Sequence, residues 1–383
     1  MNKCQEIKVS VVIPVYNAAK WIDACLDSVC MQTLREIEII CVDDGAEDES
    51  LSLLQSYSKK DYRIFILNQE NKGAGGARNH GLDNACGKYV SFLDVDDVFS
   101  SDMLEKTYER CERYEADICL FRYGLVDSCG TCFGEFGLEP ELFLCVEYFK
   151  AEDIKKDLFG VTNPAAWNKL FRREFLLEEK IRFQEIPSIN DMFFTYKSLL
   201  TANRITVVGD VLVYYREWNA SAVSNSYNKS WYGLHTVLSA IKVEVENYAS
   251  RFEKDFFNLA VRQLLYMPNT LNDREAYYSC IGKIRREWAQ ELLGNYSDES
   301  MYYEHETYER FQALMEGDID DYCFFEKRRN EKHRNDLWYS FLQKDAELKK
   351  MKAEHENLAE KYYEISSLKN HIKQFFKKKT RTR

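Results

Sequence analysis

The sequence predicts an α/β fold: a Rossmann-like, mostly parallel sheet with flanking helices, followed by a mainly helical C-terminal region. Three observations carry this. Apolar, β-branched runs alternate with segments of helical spacing as far as residue 100, and such alternation implies parallel strands joined by right-handed crossovers. Polar clusters follow successive strand ends, the edge at which open α/β sheets bind ligands. Beyond about Ser226 the chain is charged and helical in pattern, with few breakers.

The elements follow in order. VSVVIPVY (9–16) is a strand run. AAKWIDACLDSVCMQ (18–32) sets Trp21, Ile22, Cys25, Leu26 and Val29 on one helical face. EIEIICVDD (36–44) and RIFILN (63–68) read as strands, with ESLSLLQSYSKK (49–60) a helix between them. GARNHGLDNAC (76–86) predicts a helix and KYVSFLDV (88–95) a fourth strand. ADICLFRY, from Ala116, adds another strand, and residues 124–150 are aromatic-rich and irregular. NPAAWNKLFRREFLLEEK (163–180) predicts a helix, DMFFTYKSLLTA (191–202) a short helix, and RITVVGDVLVYYR (204–216) a strand or hairpin. The expected division is a domain at 1–225, with halves at 1–115 and 116–225, a helical region at 226–329 and a tail at 330–383. In the tail Met351, Leu358, Ile365 and Ile372 recur every seven residues, a short coiled-coil pattern. Its basic end, SLKNHIKQFFKKKTRTR, suits a solvated helix, an anionic membrane face, a partner helix or a second copy of the chain.

Composition removes several function classes. The 383 residues carry a formal net charge of −11, which argues against general nucleic-acid binding. The 12 cysteines form no C-x-x-C pairs, so buried thiols in a reducing compartment are expected. The N-terminal apolar run is short and broken by Pro14, unlike a signal peptide, and no stretch is apolar for a bilayer's width. A cytoplasmic protein is expected.

The chemistry gathers at the strand ends. FLDVDDVF places Asp94, Asp96 and Asp97 within four positions. Unpaired, these carboxylates would repel and raise one another's pKa. On an extended strand Asp94 and Asp96 share a side, and oxygen ligands so placed suit Mg²⁺ or Mn²⁺. The bland alternative is a turn in which Asp97 or Ser100 caps the helix DMLEKTYERC. NKGAGGARN (71–79) supplies glycines that permit positive φ and close approach to a ligand, and puts Arg78 at a helix start, where a diphosphate is welcome. The first strand–helix turn, PVYNAAK, contains no glycine, which argues against a dinucleotide fingerprint and a pyrophosphorylase loop alike. Tyr16 ends the first strand and Asp43 and Asp44 end the second. An aromatic ring, acceptor carboxylates, an arginine and an acidic pair on one edge make a nucleoside-diphosphate cradle. The six histidines are scattered, and His80 reads as an ordinary helix residue.

These pieces resemble family 2 glycosyltransferases of the bacterial cell-surface polysaccharide type. The matching stretches are VSVVIPVYNAAKWIDACLDSVCMQT, EIICVDDG and NKGAGGARNHGLDNACGKYVSFLDVDD, then AAWNKLFRREFL, IRFQEIPSINDMFF and VLVYYREWNASAVS. The resemblance covers about residues 8–225 and implies a GT-A fold and inverting sugar transfer from a nucleoside-diphosphate donor, UDP foremost, to a glycan or lipid-linked acceptor. It implies that Tyr16 packs on the base and Asp44 hydrogen-bonds it, that Arg78 lies near the nucleotide and Asp94 faces the ribose or diphosphate, and that Pro14 and Asp43 also belong to the nucleotide-sugar site. It implies Asp96, with Asp97, as metal ligands and Asp191 as general base; the other reading of Asp191 is a helix cap. Trp167, Asn168 and Lys169 would shape the sugar and acceptor pocket, with Arg216 to Ser221 a lid. Work at the inner face of a membrane follows from the family. Two departures stand out: Asn190 where the family usually has Glu, and AEDES after VDDG. Asn190 keeps open a non-catalytic, nucleotide-sugar-binding scaffold. A nucleotidyltransferase would instead release pyrophosphate.

Overall fold

The structure is a computed structural model that describes residues 7–126, 132–138, 147–216 and 227–329. The chain divides into two compact units, Met1–Gln312 and Ala313–Arg383. The strand ends of interest all lie in the first. The expected heptads and the basic tail fall outside the described residues.

The first unit opens as strand and helix in turn: β1 (Val9–Val15), α1 (Ala19–Cys30), β2 (Ile37–Asp43), α2 (Ser50–Ser58), β3 (Ile64–Asn68), α3 (Gly73–Asn84) and β4 (Tyr89–Phe92). β1 and β2 are buried along almost their whole length, as central parallel strands must be. Pro14 interrupts β1 at no cost to the ladder with β4, whose pairing ends at Val12↔Phe92. α1 turns Ile22, Cys25, Leu26 and Val29 inward, the face its spacing predicted.

Next come β5 (Val98–Phe99), α4 (Met103–Tyr114), β6 (Ile118–Val126), β7 (Cys132–Phe136), β8 (Lys169–Arg172), α5 (Arg173–Glu178), α6 (Asn190–Thr201) and β9 (Ile205–Arg216). The sheet runs β3-β2-β1-β4-β8-β6-β9-β5, with β7 on β6. The β3-β2-β1-β4 part is parallel throughout. β8 is antiparallel to both β4 and β6, and β5 is antiparallel to β9. The sheet as a whole is therefore mixed.

Residues 163–180 do not form the expected single helix. Residues 169–172 are extended as β8, and only Arg173–Glu178 is helical. Leu170 and Phe171 are fully buried between β4 and β6, so strand pairing from both sides overrides a short helical pattern. β9 is one long strand, with its register against β6 shifting around Arg122.

The helical region follows: α7 (Tyr227–Ser230), α8 (Gly233–Glu246), α9 (Glu253–Thr270), α10 (Arg274–Lys283), α11 (Ala289–Leu293) and α12 (His305–Glu316). α8 is tied to α6 by the Lys197–Glu244 ion pair at 2.8 Å, and Tyr248, just past its end, donates its hydroxyl to Leu200 O at 2.9 Å. A cluster of rings seats α6 on the sheet: Phe183 stacks on Phe194 at 3.9 Å, and Phe92 meets both edge-on. The cysteines among the described residues are free thiols, those of α1, β2, α4 and β6 mostly buried. Among the described residues, no helix is long and apolar enough to cross a membrane.

Candidate functional site

The acidic residues do not project from an extended strand. β4 ends at Phe92, and the chain turns at once, with Asp97 N donating to Asp94 O at 3.2 Å. The turn, not strand alternation, gathers the three carboxylates: ligand oxygens of Asp94, Asp96 and Asp97 lie within 4.8 Å of one another. Asp97 is not a helix cap, since Asp102 holds that position before α4. Asp97 is 1% exposed. Its Oδ1 accepts from Arg216 N at 3.1 Å, and its Oδ2 is buried without a hydrogen-bond partner. Burial, then the charges of Asp96 and Asp94, push its pKa well above the ordinary carboxylate value.

Arg216 closes over this turn from β9. Its Nε donates to Asp96 O at 3.1 Å and its guanidinium lies over the Trp21 ring at 5.1 Å. Residues 217–221 of the expected lid fall outside the described residues.

The glycine cluster is helix, not loop. α3 begins at Gly73, whose φ of +76° is open only to glycine at low cost. The close approach the other glycines permit is to the chain itself. A Cβ on Gly75 would sit 2.2 Å from Gln184 O, and one on Gly81 2.3 Å from Val12 Cγ1. This packing puts Arg78 in the second turn of α3 rather than at its start. Arg78 is 6% exposed and forks: one nitrogen donates to Asp94 Oδ1 at 2.5 Å, the other to Asn190 Oδ1 at 2.8 Å. Its plane lies over Phe183 at 5.3 Å. Asn190 therefore supplies a neutral acceptor to the arginine that braces the acidic turn.

Asp191 is the second residue of α6, beside that fork. Desolvation raises its pKa, Arg78 pulls the other way, and Asp94 adds to the rise. A carboxylate held above its usual range is a better proton acceptor than an exposed one.

The second strand end is held by bonds to its own turn and to the β3–α3 connection. Asp43 Oδ1 accepts from Ala46 N at 3.1 Å. Asp44 Oδ1 accepts from Gln69 Nε2 at 2.7 Å and from Lys72 N at 2.8 Å, which fixes the β3–α3 connection beneath it. Tyr16, just past β1, is 49% exposed. Asn17 adopts a left-handed φ of +47° and accepts from Glu47 N at 2.8 Å, joining the first two loops.

Trp167 is buried, stacked on Tyr215 at 5.3 Å and edge-on to Tyr123 at 4.7 Å. Lys169, expected in the sugar pocket, is fully buried and spends its ammonium on Asn163 O, Ala165 O and Asn168 Oδ1 at 2.6–2.9 Å. Burial pushes its pKa well below the lysine range, against the pull of Asp191. It fastens the loop that carries Trp167.

Sequence reasoning missed several partners. Trp21 read only as a face residue of α1, Phe183 and the Arg78–Asn190 bond cross 112 residues of sequence or nearly so, and Gln69 looked like loop filler. The one usable signal was Asn190 itself, a departure beside an expected base.

Three comparisons bear on this geometry. The family model Glycosyl transferase family 2 matches residues 10–178. Glycosyltransferase GlyG of Streptococcus pneumoniae is 31% identical over 230 residues, covering 58% of this chain and 75% of that protein. Glycosyltransferase GlyA of the same organism is 30% identical over 243 residues, 62% of this chain but only 34% of GlyA's own length. The fold matches S. aureus TarS 1-349, solved in complex with UDP-GlcNAc, at a TM-score of 0.63 and 22% identity, covering 85% of this chain and 92% of that one. Its curled mixed sheet with flanking helices is the GT-A architecture, and the chain belongs to glycosyltransferase family 2.

Proposed function

We propose that the chain is a metal-dependent, inverting glycosyltransferase. It moves a sugar from a UDP-sugar to a hydroxyl of a glycan or lipid-linked acceptor, at the cytoplasmic face of a membrane, in cell-surface polysaccharide synthesis. The observation that carries this is the acidic turn. Three carboxylates within 4.8 Å of one another, one with a buried, unpartnered oxygen, form a donor set of hard oxygens that fits a divalent cation. Asp96 and Asp97 would hold Mn²⁺ or Mg²⁺, which when bound neutralises the diphosphate as it departs. The UDP-GlcNAc complex of TarS, whose fold this chain shares, supports a UDP donor.

The chain's own residues divide the remaining work. Residues 1–115 form the donor half: Pro14, Tyr16, Asp43 and Asp44 bind the nucleoside, and Arg78 steadies Asp94 against the ribose and diphosphate. Residues 116–225 form the acceptor half, with Trp167 and its Lys169-anchored loop shaping the sugar pocket and Arg216 drawn over the diphosphate. Asp191 takes the proton of the acceptor hydroxyl. That oxygen bonds to the anomeric carbon from the far face, and the bond to the diphosphate breaks with its electron pair leaving on the nucleotide. One displacement inverts the centre and needs no covalent nucleophile.

UDP release from UDP-sugars, followed with Mn²⁺ and with EDTA, tests the reading. Mn²⁺-dependent release that Asp191→Asn removes, with an inverted product, is expected. A scaffold would bind the nucleotide and release no UDP, and a nucleotidyltransferase would consume a nucleoside triphosphate and release pyrophosphate.

A further inference from the structure

α3 sends three successive side chains in three directions, because consecutive helical residues lie about 100° apart. Arg78 braces the acidic turn. Asn79 donates to Phe183 O at 2.9 Å and accepts from Phe183 N at 3.0 Å. His80 reaches instead to the residue after β3, with its Nδ1 2.9 Å from Gln69 Oε1. The Gln69 backbone N–H donates to Asp43 O at 3.0 Å, and its side-chain nitrogen donates to Asp44 Oδ1 at 2.7 Å. A histidine that reads in sequence as an ordinary helix residue thus stands two bonds from Asp44.

The chemistry of the groups fixes which of them donates. A carboxylate only accepts, so the Gln69 amide turns its NH₂ to Asp44 and its oxygen to His80. That oxygen also only accepts, so His80 carries a proton on Nδ1. The bonds therefore run one way, from imidazole to amide to carboxylate. They leave the two oxygens of Asp44 unequal. Oδ1 takes two donors, Gln69 Nε2 and Lys72 N. Oδ2 has no hydrogen-bond partner among the described residues and, unlike Oδ2 of Asp97, is not sealed from solvent, although Asp44 as a whole is 2% exposed. One oxygen is spent inside the protein and the other is left to accept.

This inequality bears on base recognition. A guanine edge presents two adjacent donors, N1–H and the 2-amino group, and suits both oxygens of a carboxylate. A uracil edge presents one donor, N3–H, between two carbonyls, and suits a single oxygen. A donor left facing an occupied oxygen goes unpaired, which a desolvated site penalises.

We propose that His80, acting through Gln69, is a positioning residue that holds Asp44 with a single free oxygen, and so selects a nucleoside diphosphate whose base offers a single N–H, uracil over guanine. The inference rests on the reading of Asp44 as a nucleoside ligand given above, and adds to it the two residues that set its selectivity.

Isothermal titration of the full-length protein with UDP and with GDP, both in Mn²⁺, tests it, with a melting temperature recorded for each variant. Wild type should bind UDP at least about tenfold more tightly than GDP. His80→Ala should lower that ratio about fivefold, chiefly by weakening UDP. His80→Asn, which sets an amide N–H near the place of Nδ1–H, should restore it. Gln69→Glu, which faces Asp44 with a second carboxylate, should lower the ratio further than His80→Ala does. Asn84→Ala removes a side-chain bond to His80 O from the same helix; it is the control for helix stability and should leave the ratio alone. A wild-type ratio in His80→Ala would overturn the proposal. So would an equal loss of UDP and GDP affinity in that variant, the same fall in ratio in Asn84→Ala, or a wild type that prefers GDP. Asp44→Ala separates this inference from the reading beneath it. If Asp44→Ala abolishes the preference for UDP while His80→Ala keeps it, Asp44 stands as a nucleoside ligand and only the role of His80 falls. If Asp44→Ala binds both nucleotides as wild type does, the reading of Asp44 falls, and this inference with it.

Discussion

The two sides of the sheet are assembled differently. On the proposed donor side, β1 to β4 run parallel, and strand ends deliver polar residues within a few positions: Tyr16 after β1, Asp43 and Asp44 at β2, Asp94 to Asp97 after β4. On the proposed acceptor side, residues far apart in sequence are brought together by long-range packing. Arg78 meets Asn190 across 112 residues, Arg216 reaches Asp97 across 119, and Asn79 exchanges bonds with Phe183 across 104. The strand ends of the first side are joined loop to neighbouring loop and form a set of parts, whereas the second side, held by bonds across more than a hundred residues, depends on the packing of the whole unit.

If that contrast holds, damage to a donor-side part should remove chemistry and leave the fold. Asp96→Ala is expected to lower Mn²⁺-dependent UDP release by about a hundredfold or more, with an unchanged melting temperature in EDTA. Damage to the seam between the sides should do the reverse. Gly75→Ala puts a methyl 2.2 Å from Gln184 O, a backbone atom that cannot swing aside. It should cost about 1–3 kcal/mol in urea unfolding and weaken acceptor-dependent turnover more than donor binding.

Asp97→Asn sharpens the donor side. The native pKa of Asp97 is raised, so the folded chain holds this proton more tightly than the unfolded chain. Stability therefore falls as pH rises from the unfolded value through the native one, and the penalty persists above it. Removing the charge should stabilise the ion-free protein at pH 7 by about 1 kcal/mol or more, while the thermal shift produced by Mn²⁺ disappears. Asn190→Glu probes the acceptor side. As the proposed base Asp191 must be ionised to accept a proton, so activity is expected to rise with pH through its raised native pKa. A second carboxylate beside it should move that acid limb upward by about one pH unit. An unmoved limb would detach Asp191 from the rate.

This contrast also explains what could be read from the sequence. The proposed donor side was legible because β1, β2 and β4 are buried on both faces and the polar residues follow their ends, so pattern and position coincide. Even there the acidic trio is gathered by a turn after Phe92 rather than by alternation along a strand, and the glycines of α3 serve packing against Gln184 and Val12. The acceptor side was less legible. Residues 169–172 have no strand signature of their own and become β8 only because β4 and β6 flank them. Nothing local marks Lys169 as a loop fastener or Asn190 as the arginine's partner. Those roles exist only once long-range packing is complete.

The acidic turn is proposed to be tolerable because it holds a divalent ion at the diphosphate. Electron paramagnetic resonance of Mn²⁺, titrated into the protein with saturating UDP, tests it most directly. The account predicts loss of the free-ion signal up to one Mn²⁺ per chain, and no such loss for Asp96→Ala. A free-ion signal that wild type leaves undiminished, or that Asp96→Ala quenches as well as wild type does, would contradict it.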